Sequence, residues 1–218
     1  MRLILWSSDL KTLCPPGNPK PNSNQSLTAR CRFAAHKNQI DMDTRIQNCL
    51  RPYRDLLARV DRLLDDVRCK YPADIACRKG CDCGCRNLSI FPIEALSIFM
   101  AMQELPAEAA AAIRQRAAAH SIWNCPLLED RACGLYPFRP MICRTHGFAL
   151  QTIYNGRRSI GCCRRNFKNR PDIPQDAVLD LDWINNSLRA VNTALKERLT
   201  QPMPARLPIA AAVHLSIG

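Results

Sequence analysis

Four sulfurs fall within nine residues in Cys77-Arg-Lys-Gly-Cys81-Asp-Cys83-Gly-Cys85. Thiolates presented from turns are the usual donors for structural zinc, which takes four ligands at about 2.3 Å. In a locally extended chain, residues two apart point to the same side, so Cys81, Cys83 and Cys85 are expected to converge. Gly80 and Gly84 permit the tight turns this needs. A hydrophobic core has no use for such a density of thiols. A second group follows in Cys125, Cys133, Cys143, Cys162 and Cys163, so that nine of the thirteen cysteines lie between 77 and 163. Its wider spacings are not those of a common zinc finger and carry less weight by themselves.

His146 lies three residues after Cys143, and a neutral imidazole suits both zinc and iron. A ligand, a hydrogen-bond donor behind a ligand and a plain loop histidine all remain open for it. His36, His120 and His214 lack such a setting; His120 suits the negative end of a helix. Arg139 and Arg144 are expected to orient the loops by donating to carbonyls or sulfurs, against the plainer reading of surface arginines. Cys49 and Cys69 sit on a helical pattern and read as small packing residues.

The ordered combination of Cys125-Pro126-Leu127-Leu128, Cys133-Gly134-Leu135-Tyr136, Arg139-Pro140, Cys143-Arg144 and Cys163-Arg164-Arg165-Asn166-Phe167 resembles a known pattern. It is similar to the cysteine-cluster family defined by a CxxCxxCC motif, the YkgJ-like group of zinc- or iron-chelating proteins, over roughly residues 77–167. One departure stands out. Gly84 occupies the place of the first of the family's adjacent cysteines, so either Cys83 supplies that ligand from one residue earlier or the site is built differently. The resemblance implies metal ligands at Cys77, Cys81, Cys83, Cys85, Cys125, Cys133, Cys143 and Cys163, with Cys162 a further substitute. That set exceeds one tetrahedral ion and implies two ions, zinc or iron, or an iron–sulfur cluster.

A formal net charge of +12 suggests an anionic partner, with nucleic acid the usual candidate. That figure counts every thiol as neutral, whereas a coordinating cysteine is a thiolate. Nine Lys or Arg and no acid lie from Arg131 to Arg170, which reads first as local compensation for thiolates. A metal-stabilised nucleic-acid module is one alternative, thinly supported because Phe167 has few aromatic companions. An iron–sulfur enzyme with redox or methyl-transfer chemistry is another, since flagellin lysine methylases carry a similar type of cluster. Against it, the chain has only eight glycines, no phosphate-cradling loop and no evident Ser/His/Asp set.

Such loops need a scaffold. With 47% apolar but only 6% aromatic residues, the composition favours helices. From Ile46, the residues Leu50, Tyr53, Leu57, Val60, Leu64 and Val67 recur at helical steps, with Pro52 marking a kink or a first turn. Pro92 with Glu94 and Pro106 with Glu108 predict two short helices, each opened by proline with its acid near unpaired amides. Leu181, Ile184, Leu188, Val191 and Leu195 predict a long helix over 176–199. Between them, 121–175 reads as an irregular stretch that needs metal to hold it. The expected fold is mainly α, a small helical scaffold bracing a long irregular, metal-organised cysteine-rich loop region.

Residues 1–41 read as a disordered extension, with natural translation starting at Met42 and no role for Cys14 or Cys31. Residues 42–200 read as a single helical domain containing the cluster at 77–167, and 201–218 as an irregular tail. No run reaches the roughly 18 apolar residues of a membrane span, and no signal-peptide core is evident. These features predict a cytoplasmic protein without a membrane partner, where reduced thiols and an odd cysteine count favour metal over disulfides.

Overall fold

The apolar steps of three and four lie in helix α1 (Ser26–Lys70) of the computed structural model, which describes residues 26–119, 123–199 and 202–215, with side chains from Thr44 onward. Leu50, Val60 and Leu64 are fully buried along one face, as an amphipathic helix requires. The helix runs through Pro52, whose ring nitrogen has no proton for the ladder. The chain divides into two units, residues 1–44 and 45–218. α1 is already helical ahead of Met42, whereas residues 1–25, including Cys14, lie outside the described residues, as do the side chains of Cys31 and His36. The second unit holds everything that follows.

Two short helices come next, α2 (Pro92–Gln103) and α3 (Ala107–Ala118). In α2 the proline takes the first position and Glu94 accepts the Phe91 N–H at 2.8 Å, the reciprocal half of a capping box. α3 starts one residue later than expected, with Pro106 in the capping position. α2 is apolar nearly all round and is buried so, while α3 buries only the stripe of Ala110, Ile113 and Ala117.

The sequence stretch read as an irregular tail is part of this core. Strand β1 (Ser89–Ile90) pairs antiparallel with β7 (Leu207–Pro208), which leads into α6 (Ile209–Ala212). Leu207, Ile209 and Ala212 are buried together with Ile90, Ile98 and Ile113. Asn87 accepts the Ala210 N–H at 2.9 Å, and Arg206 donates to the Ser89 carbonyl at 2.6 Å. Proline here is compatible with regular structure: Pro208 ends a two-residue edge strand and precedes a helix, where its missing N–H costs little.

The mainly α expectation holds, with small sheets added. The molecule is 49% helix and 13% strand, a mostly helical fold with small sheets. Within the supposed irregular stretch, β2 (Leu128–Glu129) and β3 (Ala132–Cys133) form a short hairpin, followed by the one-turn helix α4 (Met141–Thr145). β4 (Ala149–Tyr154) and β5 (Arg157–Gly161) form a second hairpin. Its turn is Asn155-Gly156, with φ of 50° and 72°, the left-handed pair that a tight two-residue hairpin demands. β6 (Val178–Asp180) joins parallel to β4, giving the order β5-β4-β6.

Asp180 ends that strand and caps α5 (Leu181–Lys196) by accepting the Trp183 N–H at 2.9 Å. The helix therefore begins later than residue 176, because the preceding residues are committed to the sheet. No described helix is long and apolar enough to cross a membrane.

Candidate metal centre

Three segments, 74–85, 125–147 and 162–167, meet beside the last turns of α1, where Asp61 pairs with Arg144 at 2.6 Å and Arg68 stacks on Phe148. Asn166 ties them together. Its Oδ1 accepts the N–H groups of Ala76 at 2.9 Å and Cys77 at 3.2 Å, and its Nδ2 donates to the Gly147 carbonyl at 2.7 Å. The same carbonyl accepts the Cys163 N–H at 3.1 Å. Phe167, held at φ 54°, donates its N–H to the Asp74 carbonyl and sets its ring edge-on to Tyr71.

The eight expected ligands lie in these three segments, and their thiols influence one another across the region. In one group, here called the outer set, Cys81 and Cys83 lie 3.4 Å apart, and Cys163 and Cys81 act electrostatically on Cys77. A tetrahedral ion with bonds of about 2.3 Å would hold its sulfurs about 3.8 Å apart, so this spacing suits shared coordination. Burial pushes the Cys77 thiol up to about 12, and Cys163 adds to the rise. The hydrogen bond shared with Cys83 lowers Cys81 and raises Cys83, with Arg165 nearby favouring both thiolates.

The inner set is Cys85, Cys125, Cys133 and Cys143. Burial is the main cause of every rise here, carrying Cys125 and Cys143 up to about 12, and these thiols then act on one another. Cys125, Cys133 and Cys143 pack against the hydrophobic core. The local turns aim amides at their sulfurs: Leu127 and Leu128 donate to Cys125, and Leu135 donates to Cys133. Such N–H donation stabilises a thiolate as no apolar neighbour can. Arg139 further favours the Cys133 thiolate while stacking on Tyr136 at 3.6 Å.

Cys85 departs from the expected convergence with Cys81 and Cys83. A turn closed by the Cys85 N–H on the Asp82 carbonyl, at 2.9 Å, breaks the extended alternation, and the strongest thiol influence on Cys85 comes from Cys133. Cys162 joins neither set and donates to the Gly147 carbonyl at 3.4 Å. Cys49 and Cys69 take no part in either set, and no described cysteine forms a disulfide. A cavity of about 90 Å³ is lined by Cys77, Cys81, Cys85, Cys125, Cys133 and Cys143. Among the described residues no three side chains of ligand type are drawn into a closed ion-binding group. The donor chemistry nevertheless fits soft thiolate coordination of zinc or iron.

The arginines act largely as expected. Arg139 donates to the Tyr136 carbonyl at 2.9 Å, and buried Arg144 donates to the carbonyls of Arg139 and Pro137. Two partners were not foreseen. Glu94 also accepts the Met141 N–H at 2.9 Å, fixing the start of the helix that carries Cys143. Asp61 supplies the anion for Arg144. No local signal identifies a partner 83 residues away in the chain.

No family model, curated protein or solved structure matches the chain. The YkgJ-like resemblance therefore rests on the motif residues alone.

Proposed function

We propose that this chain is a thiolate metal protein with two four-cysteine centres, each taking zinc or iron. Cys77, Cys81, Cys83 and Cys163 hold the outer ion; Cys85, Cys125, Cys133 and Cys143 hold the inner one. The observation that carries this reading is the convergence of eight thiols from three separated segments, six of them lining one cavity and Cys81 and Cys83 3.4 Å apart; the division into two sets of four is the number a tetrahedral ion would take.

Each centre would be doubly negative with a divalent ion and four thiolates. Arg165 beside the outer set and Arg139 beside the inner set offset that charge. The metal then does the work of a core in loops that have little regular structure, where coordination supplies on the order of 10 kcal/mol of folding free energy. The test is elemental analysis of the full chain prepared without oxygen. Two equivalents are expected, with Cys163→Ser losing one and Cys125→Ser the other. A chain that holds no metal, or that keeps both equivalents in either variant, refutes the reading.

The thiol-lined cavity supports a second reading, because it is larger than one ion needs. In it, the inner thiols hold an iron–sulfur cluster and the protein is a redox or group-transfer enzyme. Acid-labile sulfide with a visible charge-transfer band would favour that reading; colourless, zinc-loaded protein would remove it.

A further inference from the structure

Strand β5 keeps one edge open. β6 pairs with β4 only as far as Gln151, and the first turn of α5 takes over from there: Asp182 accepts the Thr152 hydroxyl at 2.8 Å and the Ile153 N–H at 3.1 Å. Among the described residues no strand pairs with the outer side of β5, and all of its residues from Arg157 to Gly161 are exposed. The tight turn at Asn155-Gly156 makes Tyr154 and Arg157 a hydrogen-bonded pair, so the next pair, Ile153 with Arg158, exchanges no bonds. The Ile153 N–H, turned away to Asp182, follows that alternation on β4. On β5, Arg158 and Ile160 accordingly turn their N–H and C=O groups to solvent.

The side chains along this edge share a chemistry. Ile153 and Ile160, 66% and 41% exposed, lie on one face with Arg158, while Tyr154 and Arg157 lie on the other. Among the described residues Arg157 has no acidic partner, and Arg158 donates to a neutral one, the Gln175 Oε1 at 2.5 Å. Arg164, Arg165 and Lys168 continue the positive charge along the chain. A charged edge repels a second copy of itself, and the same sign attracts an acidic strand.

We propose that β5 is a docking edge for an extended acidic segment of a partner protein, which adds to the sheet as its fourth strand. The segment's main chain bonds the outward groups of Arg158 and Ile160. Its residues opposite those two lie on the isoleucine face and are apolar, and those opposite Arg157 and Ser159 lie on the other face, where a carboxylate meets Arg157. One occupant thus accounts for the open backbone, the exposed isoleucines and the arginines without acids. A nucleic acid would use the arginines and Tyr154 but leave the backbone edge and the isoleucines idle. The docking needs no metal at the thiols and stands apart from the two-centre reading.

The experiment titrates the isotope-labelled full chain, prepared without oxygen, with a short synthetic peptide alternating glutamate and valine. Backbone amide shifts should centre on Arg158 and Ile160, and exchange of those amides should slow in the complex. Ile160→Pro removes an outward N–H while leaving the bonds to β4 in place, and should weaken binding on the order of tenfold. Methylating the peptide's own bonding amides should do the same on the unaltered chain, whatever the proline does to the hairpin. Arg157→Glu with Arg158→Glu should abolish binding. No binding of the peptide, equal binding of a lysine and valine peptide, or indifference to both backbone changes would overturn the proposal. So would a DNA oligonucleotide that binds more tightly through Arg157 and Arg158 and ignores Ile160→Pro, or a dimer of the chain that Ile160→Pro disperses, since the occupant would then be a nucleic acid or a second copy.

Discussion

Replacing Asn166 by alanine should unclasp the outer centre and leave the inner one closed. Asn166 is buried, and its amide makes three hydrogen bonds, to the Ala76 N–H, the Cys77 N–H and the Gly147 carbonyl. These are the groups on which two of the three converging segments turn. At about 1 kcal/mol net per bond, their loss sums to about 3 kcal/mol, with no substitute partner in the space a methyl group leaves. Because the bonds hold the Cys77 and Gly147 segments together before any ion arrives, the cost falls on outer-site affinity. It should appear as a loss of roughly two orders of magnitude. The assay is chelator competition against the metal-loaded chain, following the two ions separately. Asn166→Asp keeps both acceptor interactions but sets an oxygen against the Gly147 carbonyl, so it should weaken the site by an intermediate amount at neutral pH. Equal weakening of both ions by Asn166→Ala, or no change in the outer one, would refute the claim that this side chain organises the outer set.

Four further outcomes follow from packing and charge. Arg144→Lys cannot reproduce the fork to Arg139, Pro137 and Asp61, and should destabilise the domain by about 2–3 kcal/mol in denaturant unfolding. Asp61→Asn should cost under about 1 kcal/mol, since its side chain is 41% exposed. Ile209→Ala should cost about 2–4 kcal/mol in the same assay, because Ile209 is fully buried; an unchanged midpoint would mean that the 202–215 segment is not part of the core. The hydrogen bond from Lys70 and that from Tyr71 hold the Asp176 carboxyl below its ordinary value, and Asp176 in turn raises Lys70. The carboxylate's contribution is therefore present above about pH 4 and lost as pH falls further, while the lysine's is present below about pH 10 and lost above it. Asp176→Asn should flatten both limbs of the stability profile; a profile unchanged at low pH would count against the contact.

The helices were legible wherever the periodic face is the buried face. Leu50, Tyr53, Val60 and Leu64 recur at helical steps and are buried in α1, and Ile184, Leu188 and Leu195 do the same in α5. The β4–β5 hairpin was equally legible in principle. Asn155-Gly156 between Ala149–Tyr154 and Arg157–Gly161 is a strong short-range hairpin signal, obscured by the surrounding cysteines and arginines. The two-residue strands β1 and β7 carried no such signal, because their pairing joins residues 89–90 to 207–208 and only the tertiary fold creates it. A proline-rich segment reads as loose until that partner is known.

The clustering of thiols was readable in the sequence, but their arrangement was not, and the reason lies in Cys81-Asp82-Cys83-Gly84-Cys85. Alternation in an extended chain would place all three sulfurs on one side. The turn from Asp82 to Cys85 instead breaks that alternation, and Cys133 becomes the strongest thiol influence on Cys85. Gly84 lies in that turn, and the residue that makes it a glycine is His146, on a different segment. A spacing pattern states how many donors a stretch offers. Where each thiol points depends also on a steric exclusion between residues 62 positions apart, Gly84 and His146.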